Sequence, residues 1–162
     1  MPAHITVVAP FAEPSEIDEA TLTSLTSVLG KVSAFSFALS DIGWFGRKVT
    51  YLAPDPAGPF VELTTRVVSA FPSYVPYGGE FAEVVPHLTV GEGALHTRLR
   101  RATRQLHEQL PVPARAHEVW LMTLGDERAT WKRMHTFLLG EKPAADQPVL
   151  GTNRQAPDDP PQ

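Results

Sequence analysis

The sequence predicts a mixed fold of helices and strands in which one strand-helix-strand-strand unit occurs twice. The first observation is a repeated tetrapeptide, His-aliphatic-Thr-Val, at residues 4–7 and again at residues 87–90. The second is that similar apolar patterns follow both copies in the same order. The third is spacing: His4 lies 39 positions before Gly43, and His87 lies 38 positions before Gly125. Together these regularities indicate an internal duplication.

The first unit is predicted to begin with a strand over 3–9. A helix should follow, with Ser15 as its N-cap, acidic residues in its first turn and Gly30 near its end. Alternating apolar residues over 35–39 and an apolar run over 49–53 indicate two further strands.

The second unit repeats this order after a connecting segment. That segment holds a helix starting at Pro59, a favourable first helical position, and then a loop rich in aromatic residues, proline and glycine. The unit itself is predicted as a strand over 87–91, a helix over 94–110, and strands over 117–124 and 131–139.

Composition limits the classes of protein that fit. The chain of 162 residues suits one domain or two small lobes that share a core. A net charge of −4 disfavours binding of long nucleic acids over the whole surface, so a nucleotide or an RNA end is the expected partner. The absence of cysteine excludes disulfides, thiol catalysis and cysteine-based zinc sites.

The hydropathy and the terminal segments of the chain suggest its cellular location. No apolar run is long enough to span a bilayer, and the N-terminus lacks the pattern of a signal peptide, so we expect a cytoplasmic protein that does not associate with membranes. Nothing in the sequence indicates an obligatory protein partner. Residues 1–140 are predicted to form the folded domain, and residues 141–162, rich in Pro, Asp and Gln, a disordered tail.

The repeated motif suggests chemistry at phosphorus. Side chains alternate along a strand, so the His and Thr of each copy share one face, while its two aliphatic residues share the other and should be covered by helices. Two imidazoles can serve as base and acid in one displacement, and hydroxyls can donate to phosphate oxygens. The predicted catalytic residues are His4, Thr6, His87 and Thr89, acting without a metal or cofactor.

The motifs His4-Ile5-Thr6-Val7 and Pro86-His87-Leu88-Thr89-Val90 resemble the twin His-x-Thr motifs of the two-histidine phosphoesterase superfamily. That superfamily includes the 2′-5′ RNA ligase-like proteins and cyclic nucleotide phosphodiesterases. Residues 45–54 are similar to its hairpin after the first helix, and residues 71–87 to its approach to the second motif. The resemblance covers residues 2–140.

This resemblance implies a two-lobed α+β fold with pseudo-two-fold symmetry around a central cleft. It also implies a metal-independent phosphoesterase acting on 2′,3′-cyclic phosphates or 2′-5′ linkages in nucleotides or at RNA ends. By motif match, His4 and His87 would be acid and base in either order, and Thr6 and Thr89 the phosphate donors.

The chain departs from the family in one respect. In several members, a basic residue follows the motif. Neither motif here is followed by a basic residue, and Glu92 is acidic. Charge neutralisation is therefore expected either to come from elsewhere, from Arg47 or Arg115, or to be weaker.

Aromatic residues near the motifs are candidates for contacts with a nucleobase. Phe11, Tyr77 and Phe81 could stack on a base, and ordinary loop packing is an equal alternative for these rings.

Other interpretations remain open from sequence. One motif alone would be read as a strand histidine beside a β-favouring threonine. A zinc site would need a third ligand, which neither motif supplies at a typical spacing. A nucleotide- or RNA-binding module with little turnover is favoured by the missing basic residues, and a phosphate-containing metabolite is a further possible ligand.

Overall fold

The computed structural model describes residues 3–79, 84–125 and 130–141. Helices and strands follow one another in the order predicted for most of the chain. The elements are a 3₁₀ turn Pro14–Glu16, α1 Glu19–Leu29, β1 Phe35–Phe45, β2 Val49–Asp55, α2 Gly58–Ala70, a 3₁₀ turn Pro76–Gly79, β3 Leu88–Glu92, α3 His96–His107, β4 Val112–Ala116, β5 Glu118–Leu124 and β6 Trp131–Leu138.

The strands form two antiparallel sheets. Four strands pair in the order β3-β2-β1-β4, and β5 pairs with β6. The expectation of a mixed α+β fold is therefore confirmed. The predicted tail is untested, because residues 142–162 lie outside the described residues. No helix in the described part of the chain is both long and apolar enough to cross a membrane.

The strand predicted over 3–9 is wrong, because this segment belongs to neither sheet. Isolated hydrogen bonds connect it to the rest of the fold instead. The Thr64 hydroxyl on α2 donates to the carbonyl of Val7 at 2.9 Å. The backbone N–H of Tyr77 donates to the carbonyl of Ala9 at 2.8 Å. These isolated bonds replace the regular ladder that the apolar alternation predicted.

The N-cap predicted at Ser15 is also wrong. Helix α1 begins at Glu19, and its N-cap is Asp18, whose carboxylate accepts from the N–H of Thr21 at 2.8 Å. Residue 15 lies within the preceding 3₁₀ turn. The end of α1 falls at Gly30, as predicted.

Strand β4 was not predicted, and it changes the relation between the two halves of the chain. It pairs with β1, so strands from the second half, β3 and β4, flank the hairpin formed by β1 and β2 from the first. The sequence did not indicate this strand, because Pro113 is unusual in a strand. Proline is tolerated there because β4 is an edge strand. The duplicated units and the pseudo-two-fold symmetry are therefore not confirmed.

The main core joins helices α1 and α2 to the smaller sheet. Its two most deeply buried members are Leu29 on α1 and Leu63 on α2, with exposed fractions of 1% and 2%. Val7 packs against this cluster, as expected for an aliphatic motif residue. The cluster consists of Leu25, Leu29, Val32, Leu63, Val67, Phe137 and Leu139.

The four-stranded sheet buries one face and leaves the other more open. Along β2, residues 50, 52 and 54 are buried, while the residues between them are half-buried. Helix α3 lies on the buried face, where Thr50 and Leu99 line one depression. Farther along β1, Phe35 and Phe37 pack edge-on against Phe60 of α2, with centroids 4.9 Å apart in both pairs. Helices thus leave the opposite face of β2 and β3 available for a site.

Candidate active site

The face of the sheet opposite α3 carries several residues of chemical interest. Tyr51 on β2 is paired with Gly43 on β1 and with Thr89 on β3, so these three residues share one face. His87, immediately before β3, contacts Tyr51 and Phe45 on that same side. We call this surface, formed by Gly43, Phe45, Tyr51, His87 and Thr89, the open face.

His87 is held by a hydrogen bond and by two rings. Its Nδ1 lies 2.7 Å from the carbonyl oxygen of Val85. Because a carbonyl only accepts, Nδ1 must carry the proton. Neutral His87 therefore has its free lone pair on Nε2, and protonated His87 donates from Nε2. In either state, Nε2 is the nitrogen able to exchange a proton with a substrate.

The two rings beside His87 are themselves stacked. Phe45 and Tyr51 lie 4.4 Å apart between centroids, with 27° between their planes. The imidazole of His87 lies 4.9 Å from Phe45, nearly perpendicular to it, and 5.3 Å from Tyr51. Three aromatic side chains from β1, β2 and the start of β3 thus form one cluster on the open face.

Gly43 makes room for this cluster. A Cβ at residue 43 would overlap the ring and hydroxyl of Tyr51, so the tyrosine lies across β1 where a side chain is missing. Sequence reasoning used Gly43 only as a spacing marker. A glycine inside a strand also signals close approach of another group, and that signal could have pointed to Tyr51.

The first motif lies in the irregular N-terminal segment. His4 is exposed and Thr6 is half-buried. Downstream, the segment is anchored to α2 through Val7. The meeting of His4 and Thr6 with His87 around one phosphate stays a prediction.

The predicted substrate-binding aromatics have different environments. Phe11 packs against Phe71 at 5.4 Å and Tyr74 at 4.7 Å and also touches the core cluster, which favours the packing role. Tyr77 has a left-handed backbone with φ of 53°, and burial raises the pKa of its phenol. Phe81 lies outside the described residues.

The two candidate cations lie near opposite ends of β1. Arg47 is exposed in the turn between β1 and β2, two residues beyond Phe45. Arg115 pairs with Ser36 near the other end of β1. At about 3.3 Å per residue, Ser36 and Gly43 are roughly 20 Å apart along the strand. Arg47 therefore lies nearer to Phe45, which contacts His87.

Other features of the surface lie away from these residues. A depression of about 350 Å³ between α1 and α2 and another of about 310 Å³ beside α3 are lined by none of the predicted site residues. Across residues 3–79, 84–125 and 130–141, no group of three or more His, Asp or Glu side chains is arranged to hold a metal ion.

Comparisons with known proteins agree with this architecture. A family model described as the 2′-5′ RNA ligase superfamily matches residues 1–128. A protein of Bacillus cereus (strain G9842) is 28% identical over 153 residues, covering 87% of this chain and 81% of that protein. A protein of Bacillus anthracis (strain A0248) is 27% identical over 148 residues, with the same coverage. Both relatives carry the name "Putative phosphoesterase".

Solved structures show a similar fold. The crystal structure of E. coli LigT in apo form has a TM-score of 0.53 and 17% identity, covering 86% of this chain and 77% of that chain. The crystal structure of E. coli LigT complexed with 3′-AMP has a TM-score of 0.50 and 18% identity, covering 85% and 76%.

Proposed function

The chain belongs to the 2′-5′ RNA ligase superfamily, and we propose that it is a phosphodiesterase acting on 2′,3′-cyclic phosphates or 2′-5′ linkages of nucleotides or RNA ends. Family membership and the names of the relatives support the phosphoesterase class. The observation that carries the proposal is His87, whose Nδ1 is committed to Val85 and whose Nε2 is left for proton transfer on the open face.

The proposed reaction divides the proton transfers between two histidines. One of His4 and His87 removes a proton from water, whose oxygen attacks phosphorus. The bond from phosphorus to the ribose oxygen breaks, and the other histidine protonates that leaving oxygen. The hydroxyls of Thr6 and Thr89 donate to the non-bridging oxygens as charge develops. Hydrolysis is expected to prevail over the reverse ligation in bulk water.

The substrate class has separate support. LigT, which shares the fold, has been crystallised with 3′-AMP, and this favours a nucleotide over an unrelated phosphate ester. The cations Arg47 and Lys48 are exposed in the turn next to Phe45 and supply positive charge near the aromatic cluster.

Hydrolysis assays test the proposal directly. The substrates are a nucleoside 2′,3′-cyclic phosphate and a short 2′-5′-linked oligonucleotide, each in excess chelator. We expect His4→Ala and His87→Ala each to lower kcat by about 10²- to 10⁴-fold, because each removes one proton-transfer group. His107→Ala, an exposed histidine at the end of α3, is the matched control. Turnover unchanged in both motif variants would overturn the mechanism.

A binding module with little turnover is the second candidate. It is favoured by the missing basic residue after each motif and by the exposed Glu92 at the end of β3. This alternative predicts that 3′-AMP binds to the wild-type protein, as measured by titration calorimetry, while neither diester is hydrolysed.

A further inference from the structure

We propose that Phe45 is the surface on which the base of a nucleotide substrate stacks, so that the end of β1 makes the site selective for nucleosides. This inference rests on the proposed function and adds a specificity residue to it. Phe45 is 40% exposed although it is a large apolar side chain at the end of a strand. This exposed surface is open to a ligand.

The position of Phe45 relative to His87 fits one nucleotide. The two ring centroids are 4.9 Å apart. In a nucleoside phosphate, a single ribose separates the base from the phosphate. A phosphate that meets Nε2 of His87 therefore leaves its base close to the exposed part of Phe45.

The ring is also held in place before any ligand arrives. Tyr51 stacks on Phe45 at 4.4 Å, and Tyr51 can lie there only because residue 43 has no side chain. A preformed stacking surface loses little conformational entropy on binding. Stacking on an aromatic ring tolerates any base, because every base offers a π-face. The site is thus expected to select the presence of a base more than its identity.

The other candidate aromatics are less suited to this role. Phe11 packs against Tyr74, with centroids 4.7 Å apart, and contacts the core. Tyr77 lies in a 3₁₀ turn rather than on the strands of the open face. Phe45 contacts one of the predicted catalytic residues directly.

Kinetics on two substrates distinguish a role of Phe45 in stacking from a role in supporting His87. The substrates are a nucleoside 2′,3′-cyclic phosphate and methyl riboside 2′,3′-cyclic phosphate, which lacks a base. We expect Phe45→Ala to raise KM for the nucleoside about 10- to 100-fold. Because the ring also contacts His87, any fall in kcat should be the same for the two substrates. We expect the substitution to leave KM for the baseless substrate unchanged. Phe45→Trp should retain the wild-type KM for the nucleoside.

The control is Val61→Ala, which truncates an exposed apolar residue on α2 and should change neither KM. Unchanged KM for the nucleoside in Phe45→Ala would overturn the inference. An equal rise of KM for both substrates would also overturn it, because Phe45 would then act only through His87. Thermal unfolding of each variant shows whether the fold is intact.

Binding measurements keep this inference separate from the proposed reaction. If the wild-type protein hydrolyses neither substrate, the phosphodiesterase proposal fails while stacking remains testable. Calorimetry with 3′-AMP and with ribose 3-phosphate should then show a loss of affinity in Phe45→Ala for 3′-AMP alone. Equal affinities of wild type and Phe45→Ala for 3′-AMP would overturn stacking.

Discussion

The imidazole of His87 shows how a few contacts can define the chemistry of one residue. The bond from Nδ1 to the carbonyl of Val85 fixes the tautomer, and the rings of Phe45 and Tyr51 contact the imidazole. Such support matters because catalytic groups lose much of their effect when they are displaced by even an ångström. If His87 transfers protons as proposed, Tyr51 is a positioning residue for it.

Replacing Gly43 by alanine tests the close approach of Tyr51. The new Cβ overlaps the tyrosine ring, so we expect a loss of about 1–3 kcal/mol in the free energy of unfolding and a lower kcat. Urea denaturation and hydrolysis assays measure the two effects. Gly58→Ala is the matched control, because a Cβ at residue 58 meets nothing within 4 Å. If overlap is the cause, Gly43→Ala costs less in a Tyr51→Ala background; equal losses in both backgrounds would contradict this explanation.

At the scale of elements, local patterns predicted the helices and the later strands well. Helices α1, α2 and α3 follow from apolar spacing along their own residues, and β5 and β6 follow from short apolar runs. The segment 3–9 has the same kind of pattern, yet forms no strand, because a strand also needs a neighbour to pair with. Strand β4 shows the converse. It is a strand because it pairs with β1, which is distant in sequence, and its own residues have little tendency to form a strand.

Some features of the candidate site could likewise be predicted from the sequence, and others could not. The pairing of β2 with β3 places Thr89 on the face that carries His87, which follows from alternation within the motif. The contacts of Phe45 and Tyr51 with His87 depend on how β1, β2 and β3 align, and sequence does not define that register.

The N-cap of α1 predicts a dependence of stability on pH. The N–H of Thr21, together with its side chain, lowers the pKa of the Asp18 carboxyl. A lowered pKa in the folded state stabilises the protein above the unfolded pKa, and this contribution disappears as the pH falls through the folded pKa. We expect Asp18→Ala to lower the thermal midpoint at pH 7.

The same substitution should matter much less once the carboxyl is protonated in both states. Thermal melts of Asp18→Ala and wild type should therefore converge at pH values below the ordinary range of an aspartic acid. Glu19→Gln, a change at the neighbouring exposed carboxylate, serves as the comparison. A difference between Asp18→Ala and wild type that is constant with pH would refute the capping explanation.

At the scale of the whole molecule, one core holds together elements that are distant in sequence. Leu63 on α2 packs in the cluster with Leu29 on α1 and Phe137 on β6. Truncating it leaves a cavity among all three elements. We expect Leu63→Ala to lower the free energy of unfolding by about 2–5 kcal/mol in urea denaturation.

Val61 lies on the same helix and is 45% exposed, so Val61→Ala should change the stability by less than about 0.5 kcal/mol. Similar losses for Leu63→Ala and Val61→Ala would show that the cluster is not the centre of stability. A single cooperative transition is expected, because the cluster draws on both helices and the smaller sheet.

The last described strand has a consequence for synthesis of the protein on the ribosome. The N–H of Gly140 donates to the carbonyl of Val32 at 2.8 Å, and its carbonyl accepts from the N–H of Ala34 at 2.7 Å. A growing chain that has already formed α1 and α2 must therefore wait for Phe137 and Gly140 before their apolar faces are covered. If synthesis stopped before this point, those faces would stay exposed and available to chaperones and proteases.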